Sequence, residues 1–124
     1  MTRLGLAIVG LALAGCAPVA INPGLVTDSP DFRVEASPAT GKRGPSVEGY
    51  VYNKRPLLAT RVRLRIEALD AAGAVVATAV RPLDRDIPIG DRVYFDMPVP
   101  AAAPAYRVTV DYVFWRSGAG GSGP

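Results

Sequence analysis

From Phe32 to Phe114 the chain repeatedly alternates apolar with polar residues, and clusters of glycine, proline, asparagine and aspartate break the alternation into short runs. A period of two is the mark of a strand with one buried face. The clearest run is Thr60–Asp70, where Val62, Leu64, Ile66 and Ala68 alternate with Arg61, Arg63, Arg65 and Glu67. A helix would scatter those arginines around its circumference, whereas a strand sets them on one solvated face. Phe32–Ala36 reads as a short strand that Ser37–Ser46, with two prolines and two glycines, breaks. Val47–Asn53 turns Val47, Gly49 and Val51 to one side and Glu48, Tyr50 and Tyr52 to the other. Val75–Val80 is uniformly small and apolar. Arg92–Met97 points Val93, Phe95 and Met97 inward and Tyr94 and Asp96 outward, and Tyr106–Phe114 puts Tyr106, Val108, Val110, Tyr112 and Phe114 on the presumed core face. Six such strands with short turns and no long amphipathic segment predict an all-β, immunoglobulin-like antiparallel β-sandwich over residues 32–116.

The start of the chain follows other rules. Arg3 precedes the apolar run Leu4–Ala14, which ends in small residues. Those eleven residues are too few for a spanning helix, which needs roughly twenty, and they match the layout of a secretory signal peptide. The run closes on Leu13-Ala14-Gly15-Cys16. These four residues resemble the lipobox of bacterial lipoproteins at every position. The resemblance implies that residues 1–15 are removed, that Cys16 becomes the first residue and carries diacylglycerol through its sulfur, and that its amine is acylated. Ala17 in place of aspartate favours sorting to the outer membrane, facing the periplasm. Two or three acyl chains hold a protein stably at a bilayer where one does not. Residues 16–31, rich in proline and turn formers, read as the lipidated cysteine and an extended tether, and residues 117–124 as a glycine-serine tail without packing capacity.

Composition narrows the chemistry. The chain has 124 residues, and 124 less 15 leaves 109, enough for one small domain and its tails. It contains no histidine and one cysteine, the residue assigned to lipid, so the usual zinc, copper and iron ligand sets and the histidine-dependent catalytic triads cannot be assembled within it. No cofactor and no metal are expected, and the chain does not read as an enzyme. Its formal charge of +3, with no dense basic run, gives no reason to expect nucleic acid. Asp84, Asp86 and Asp91 share a loop, but Arg85 and Arg92 interrupt them and the spacing lacks a calcium-loop frame.

Two outward faces are candidates for partner binding. Arg61, Arg63 and Arg65 lie on one face of one strand and suit an anionic ligand such as phosphate, lipid A or an acidic polymer, although a solvated charged face reads the same way. Tyr50, Tyr52 and Tyr94 would share the outer face of the second sheet if their strands pair, forming an aromatic platform for a glycan or a protein, although tyrosine is also simply a good strand residue. Phe114-Trp115 at the last strand end reads as a core plug or an exposed anchor, with the plug favoured in a chain with one tryptophan.

The succession Val47-x-Gly49-x-Val51-x-Asn53, Val62-x-Leu64-x-Ile66 ending in Leu69-Asp70-x-x-Gly73, Ile89-Gly90 before Tyr94-Phe95, and Tyr106-x-Val108-x-Val110 resembles the FxLYD family. The naming motif is only partly present, as Ile66-Glu-Ala-Leu-Asp70. That family is a bacterial immunoglobulin-like domain of exported and lipid-anchored proteins, and the resemblance brings no catalytic residue. The expectation is a non-catalytic interaction or structural module of the cell envelope, held to the membrane through lipid on Cys16 and partnered by another envelope protein. The alternative is glycan or glycolipid binding through the tyrosine face or the arginine row.

Overall fold

A computed structural model describes residues 25–117. The expected signal peptide and lipobox with Cys16, the expected tether through Gly24 and the expected tail from Gly118 lie outside the described residues. Within them the protein is all-β: β1 (Leu25–Asp28), β2 (Phe32–Gly41), β3 (Gly44–Asn53), β4 (Leu58–Leu69), β5 (Val75–Pro82), β6 (Arg92–Pro98) and β7 (Ala105–Arg116). They form a four-stranded sheet in the order β1-β2-β3-β6 and a three-stranded sheet in the order β5-β4-β7, here called sheets A and B. Every pairing is antiparallel. The order β2-β3-β6 facing β5-β4-β7 is that of an immunoglobulin-type sandwich, with β1 added outside it.

The core lies between the sheets. Sheet A contributes Phe32, Val34, Val47, Val51, Val93, Phe95 and Met97, and sheet B contributes Val62, Leu64, Ile66, Ala68, Tyr106 and Val108, all buried. Inward residues follow a period of two, as the alternation requires. The β5–β6 connection also drops Leu83 and Ile87 into the core. Asn53 ties this connection to the end of β3: its buried Nδ2 donates to Leu57 O at 2.7 Å and Ile87 O at 3.1 Å. Tyr106 begins β7 with its ring buried, and its hydroxyl donates to Ala101 O at 3.0 Å. This bond back to the preceding connection fixes the corner at which an immunoglobulin-type chain changes sheets.

Three stretches differ from the sequence reading. Leu25–Asp28, assigned to the tether, is strand β1, paired with Arg33–Ala36. Four residues are too few to show periodicity, and Pro23 and Pro30 on either side disguise them. Ser37–Ser46, read as a break, is instead the continuation of β2 and the start of β3 across a two-residue turn, with Gly41 opposite Gly44. Pro38 is tolerated because β1 ends its pairing at Ala36, leaving that side of β2 open where a missing N–H costs little. Gly44 takes φ +109°, which favours glycine at this turn.

The third difference is in β7. Tyr112 and Phe114, assigned to the core face, are 42% and 46% exposed. The β4–β7 ladder shifts register twice, between Thr60 and Arg63 and between Arg63 and Leu64. Across the second shift Arg63 pairs with Tyr112 and Leu64 with Val110, leaving Asp111 as an extra residue in β7. An extra residue reverses the phase of a strand, so side chains beyond it change sides. Val113 and Trp115 therefore pack on the core in place of Tyr112 and Phe114. A compensating extra residue in β4 lies at Arg61, whose φ of +55° is rare for a non-glycine residue. Trp115 alone is the plug, stacked on Phe32 with centroids 5.3 Å apart.

Candidate functional site

Sheet A brings the three predicted tyrosines together. Tyr50 stands directly opposite Tyr94, and Tyr52 opposite Arg92, in the β3–β6 ladder. Tyr50 and Tyr94 meet edge-on at 5.7 Å, and Tyr50 and Tyr52 lie 6.3 Å apart. Such cross-strand aromatic contacts stabilise a sheet without any ligand. The guanidinium of Arg92 covers the Tyr50 ring at 4.2 Å. Polar groups around the rings are already engaged: Tyr94 donates to Glu48 Oε1 at 2.6 Å, Tyr52 donates to Glu35 Oε1 at 3.1 Å, and Arg92 Nη1 donates to the Tyr52 hydroxyl at 3.2 Å.

This network sets its own protonation. The hydrogen bond to Glu48, helped by burial and by the charge on Glu48, pushes the Tyr94 phenol up to about 12. Arg92 is held above its ordinary value, first by its hydrogen bond with Tyr52. Tyr94 therefore remains a neutral donor at neutral pH, far from the range in which it would exchange protons with a substrate. The face offers ring edges, one covering guanidinium and two carboxylates for recognition.

The outer face of sheet B holds the arginine row. Arg65 is paired with Asp111, Nη2 to Oδ1 at 2.6 Å, and Glu67 with Arg107 at 2.6 Å. Arg61 and Arg63 carry no carboxylate partner among the described residues and lie over aromatic rings instead, Arg61 over Phe114 at 5.4 Å and Arg63 over Tyr112 at 5.1 Å. The row is thus divided into two arginines on rings and one in an ion pair. Guanidiniums on rings keep their donor edges free for an anion.

Asp84, Asp86 and Asp91 are exposed in the β5–β6 connection. Asp91 Oδ1 accepts from the Arg92 amide at 2.7 Å. Among the described residues no group of three or more acidic or cysteine side chains gathers as a metal site.

Arg92 and Glu35 complete the tyrosine face and were missed, although the alternation that exposed Tyr94 also places Arg92 on its side; Glu48 was placed on that face but not among the candidate binding residues. Tyr112 and Phe114 were missed as surface residues because the extra residue Asp111 that turns them outward leaves no composition signal. Comparison with protein-family models, with curated proteins and with solved structures finds no match to this chain.

Proposed function

We propose that this chain is a lipid-anchored lipoprotein of the bacterial cell envelope, attached through Cys16 to the outer membrane and facing the periplasm, whose β-sandwich is a non-catalytic interaction or structural module. The observation that carries this reading is the complete lipobox Leu13-Ala14-Gly15-Cys16 at the end of the apolar run, with no other role available to the cysteine. The partial FxLYD pattern belongs to the same reading. Because β1 begins at Leu25, the link from Cys16 is residues 17–24, eight residues that reach at most about 29 Å. That length keeps the sandwich close to the bilayer and concentrates it for partners on the same surface.

The test is fractionation and mass measurement of the wild type beside Cys16→Ser. The wild type should partition with membranes and carry the mass of its acyl chains, and the variant should lose both. A variant that stays fully membrane-bound, with its signal peptide cut as in the wild type, would remove the anchor from the proposal.

A second reading, binding of an anionic glycan or glycolipid, is favoured by Arg61 and Arg63, which lie on rings and have no carboxylate partner among the described residues. The tyrosine face suits it less, since Arg92 already covers Tyr50. The double variant Arg61→Ala, Arg63→Ala should abolish retention on immobilised lipopolysaccharide while leaving unfolding unchanged within about 1 kcal/mol. Unaltered retention would end this reading.

A further inference from the structure

Sheet A has four strands and sheet B three. β1 and β2 both lie against β7, and the lane beside β7, beneath β1, holds no strand among the described residues. In an immunoglobulin-type sandwich that lane takes the strand that follows. Here it is a cleft of about 460 Å³ running along β7 from Thr109 to Val113. Phe32 and Val34 of sheet A and Val110 and Val113 of β7 give it apolar walls.

We propose that this lane is a docking site for one extended segment of another envelope polypeptide, added to sheet B along β7. The backbone is aimed for it. Val108 O accepts from Thr27 Oγ1 at 2.7 Å and so turns away from β4, and strand alternation gives Val110 the same direction. Phe114 O accepts from Thr60 Oγ1 on β4 at 2.7 Å, so Val113 faces the lane as well. An unpaired edge of this kind binds a strand through main-chain hydrogen bonds, and the walls beside it select its side chains.

The shape of the lane excludes a second sandwich. Neighbouring strands stand about 4.8 Å apart and packed sheets about 10 Å apart. A second copy meeting β7 edge to edge would drive its own sheet A into β1, whereas a single strand slides beneath it. Charge specifies the occupant further. Asp28, Asp31 and Asp111 line the cleft, while their partners Lys54, Arg55 and Arg65, at 2.8, 3.5 and 2.6 Å, stand outside its lining. The complementary segment carries β-branched residues at alternate positions, facing Phe32 and Val34, and lysine or arginine near its ends.

The experiment is amide hydrogen exchange on the full chain in detergent micelles, with the peptide Lys-Val-Thr-Val-Lys-Val as probe and Glu-Val-Thr-Val-Glu-Val as control. It reads the lane whether or not Cys16 carries lipid, so failure of the anchor reading and failure of this one are separate results. Saturating basic peptide should slow the Val110 and Val113 amides by at least about tenfold and leave the β6 edge unchanged. Asp31→Lys should weaken the basic peptide by about fivefold or more. The proposal is overturned if millimolar basic peptide leaves both amides unaltered, or if the acidic peptide protects them equally. It is also overturned if they are protected without peptide. Protection then lost on deleting residues 17–24 would give the lane to this chain's own N-terminal segment, and protection that grows with protein concentration would give it to a second copy.

Discussion

The outer faces of the two sheets use the same partners, arginine and aromatic rings, in opposite arrangements. On sheet A two of the rings, Tyr50 and Tyr52, stand on the inner strand β3, and Arg92 reaches over Tyr50 from the edge strand β6, which also carries Tyr94. On sheet B the arginines are central, on β4, and the rings stand on the edge strand β7. The first arrangement needs only an unbroken ladder, since Tyr50 and Tyr94 are direct cross-strand partners. The second exists because the extra residue Asp111 turns Tyr112 and Phe114 outward, with a compensating extra residue at Arg61 in β4 that restores the pairing. A regular ladder builds its face from alternation alone, while a bulged one builds it from backbone exceptions.

The largest expected effect falls on the regular ladder. A Cβ at Gly49 would run into the carbonyl of Glu35 on the neighbouring strand. Gly49→Ala should therefore cost about 3 kcal/mol in denaturant unfolding, since the backbone itself must move. A loss below about 0.5 kcal/mol would mean that β2 and β3 are less rigidly paired than their register implies.

Next is the ionisation of Tyr94. Its folded value is raised to about 12 from the ordinary 10.0, so its bond to Glu48 contributes stability fully below pH 10 and loses it as pH rises through about 12. An ultraviolet phenolate titration should show one tyrosine ionising near pH 12, and Glu48→Gln should bring it down toward 10. An unchanged titration would detach Tyr94 from Glu48.

A glycine scan of β4 separates the two kinds of backbone. Glycine inside a regular strand costs roughly 0.5–1 kcal/mol, which is the expectation for Arg63→Gly. At Arg61 the left-handed φ already disfavours a side chain by about 1–2 kcal/mol, so Arg61→Gly should be neutral or stabilising. Equal losses at both positions would refute the extra residue at Arg61. The smallest effect is the coupling between Arg65 and Asp111, whose side chains are 43% and 25% exposed. A double-mutant cycle should give about 0.5 kcal/mol, reduced further in molar salt. A coupling that salt leaves intact would mark the pair as more enclosed than its geometry shows.

Legibility in the sequence follows the same division. Val62–Ala68 and Val47–Asn53 were readable because each inward side chain is separated from the next by one outward residue, which is all that simple alternation records. The tyrosine face followed from it. The reversal at Asp111 was not readable, because Val110-Asp111-Tyr112-Val113 still alternates acceptably in either phase, and only the register against β4 decides between them. β1 was hidden for a different reason: its pairing is bought by β2, and its own four residues carry almost no pattern. The lane beside β7 depends on the unequal number of strands in the two sheets, a property of assembly that no single segment contains.

β1 also has a mechanical consequence. It is antiparallel to β2, joined to it through Ser29–Asp31, and continuous with the rest of the chain on its Leu25 side. A pull from that side loads Leu25 opposite Ala36 first and opens the four pairs one after another, like a zipper, instead of shearing them together. Peeling residues 25–31 would lengthen the leash by at most about 25 Å and draw Thr27 away from Val108 while the rest of the core still held. Single-molecule pulling from the N-terminal side should therefore show a small, reversible low-force step before the sandwich yields. Under the proposed attachment at Cys16, β1 would act as a shock absorber between the anchor and the sandwich.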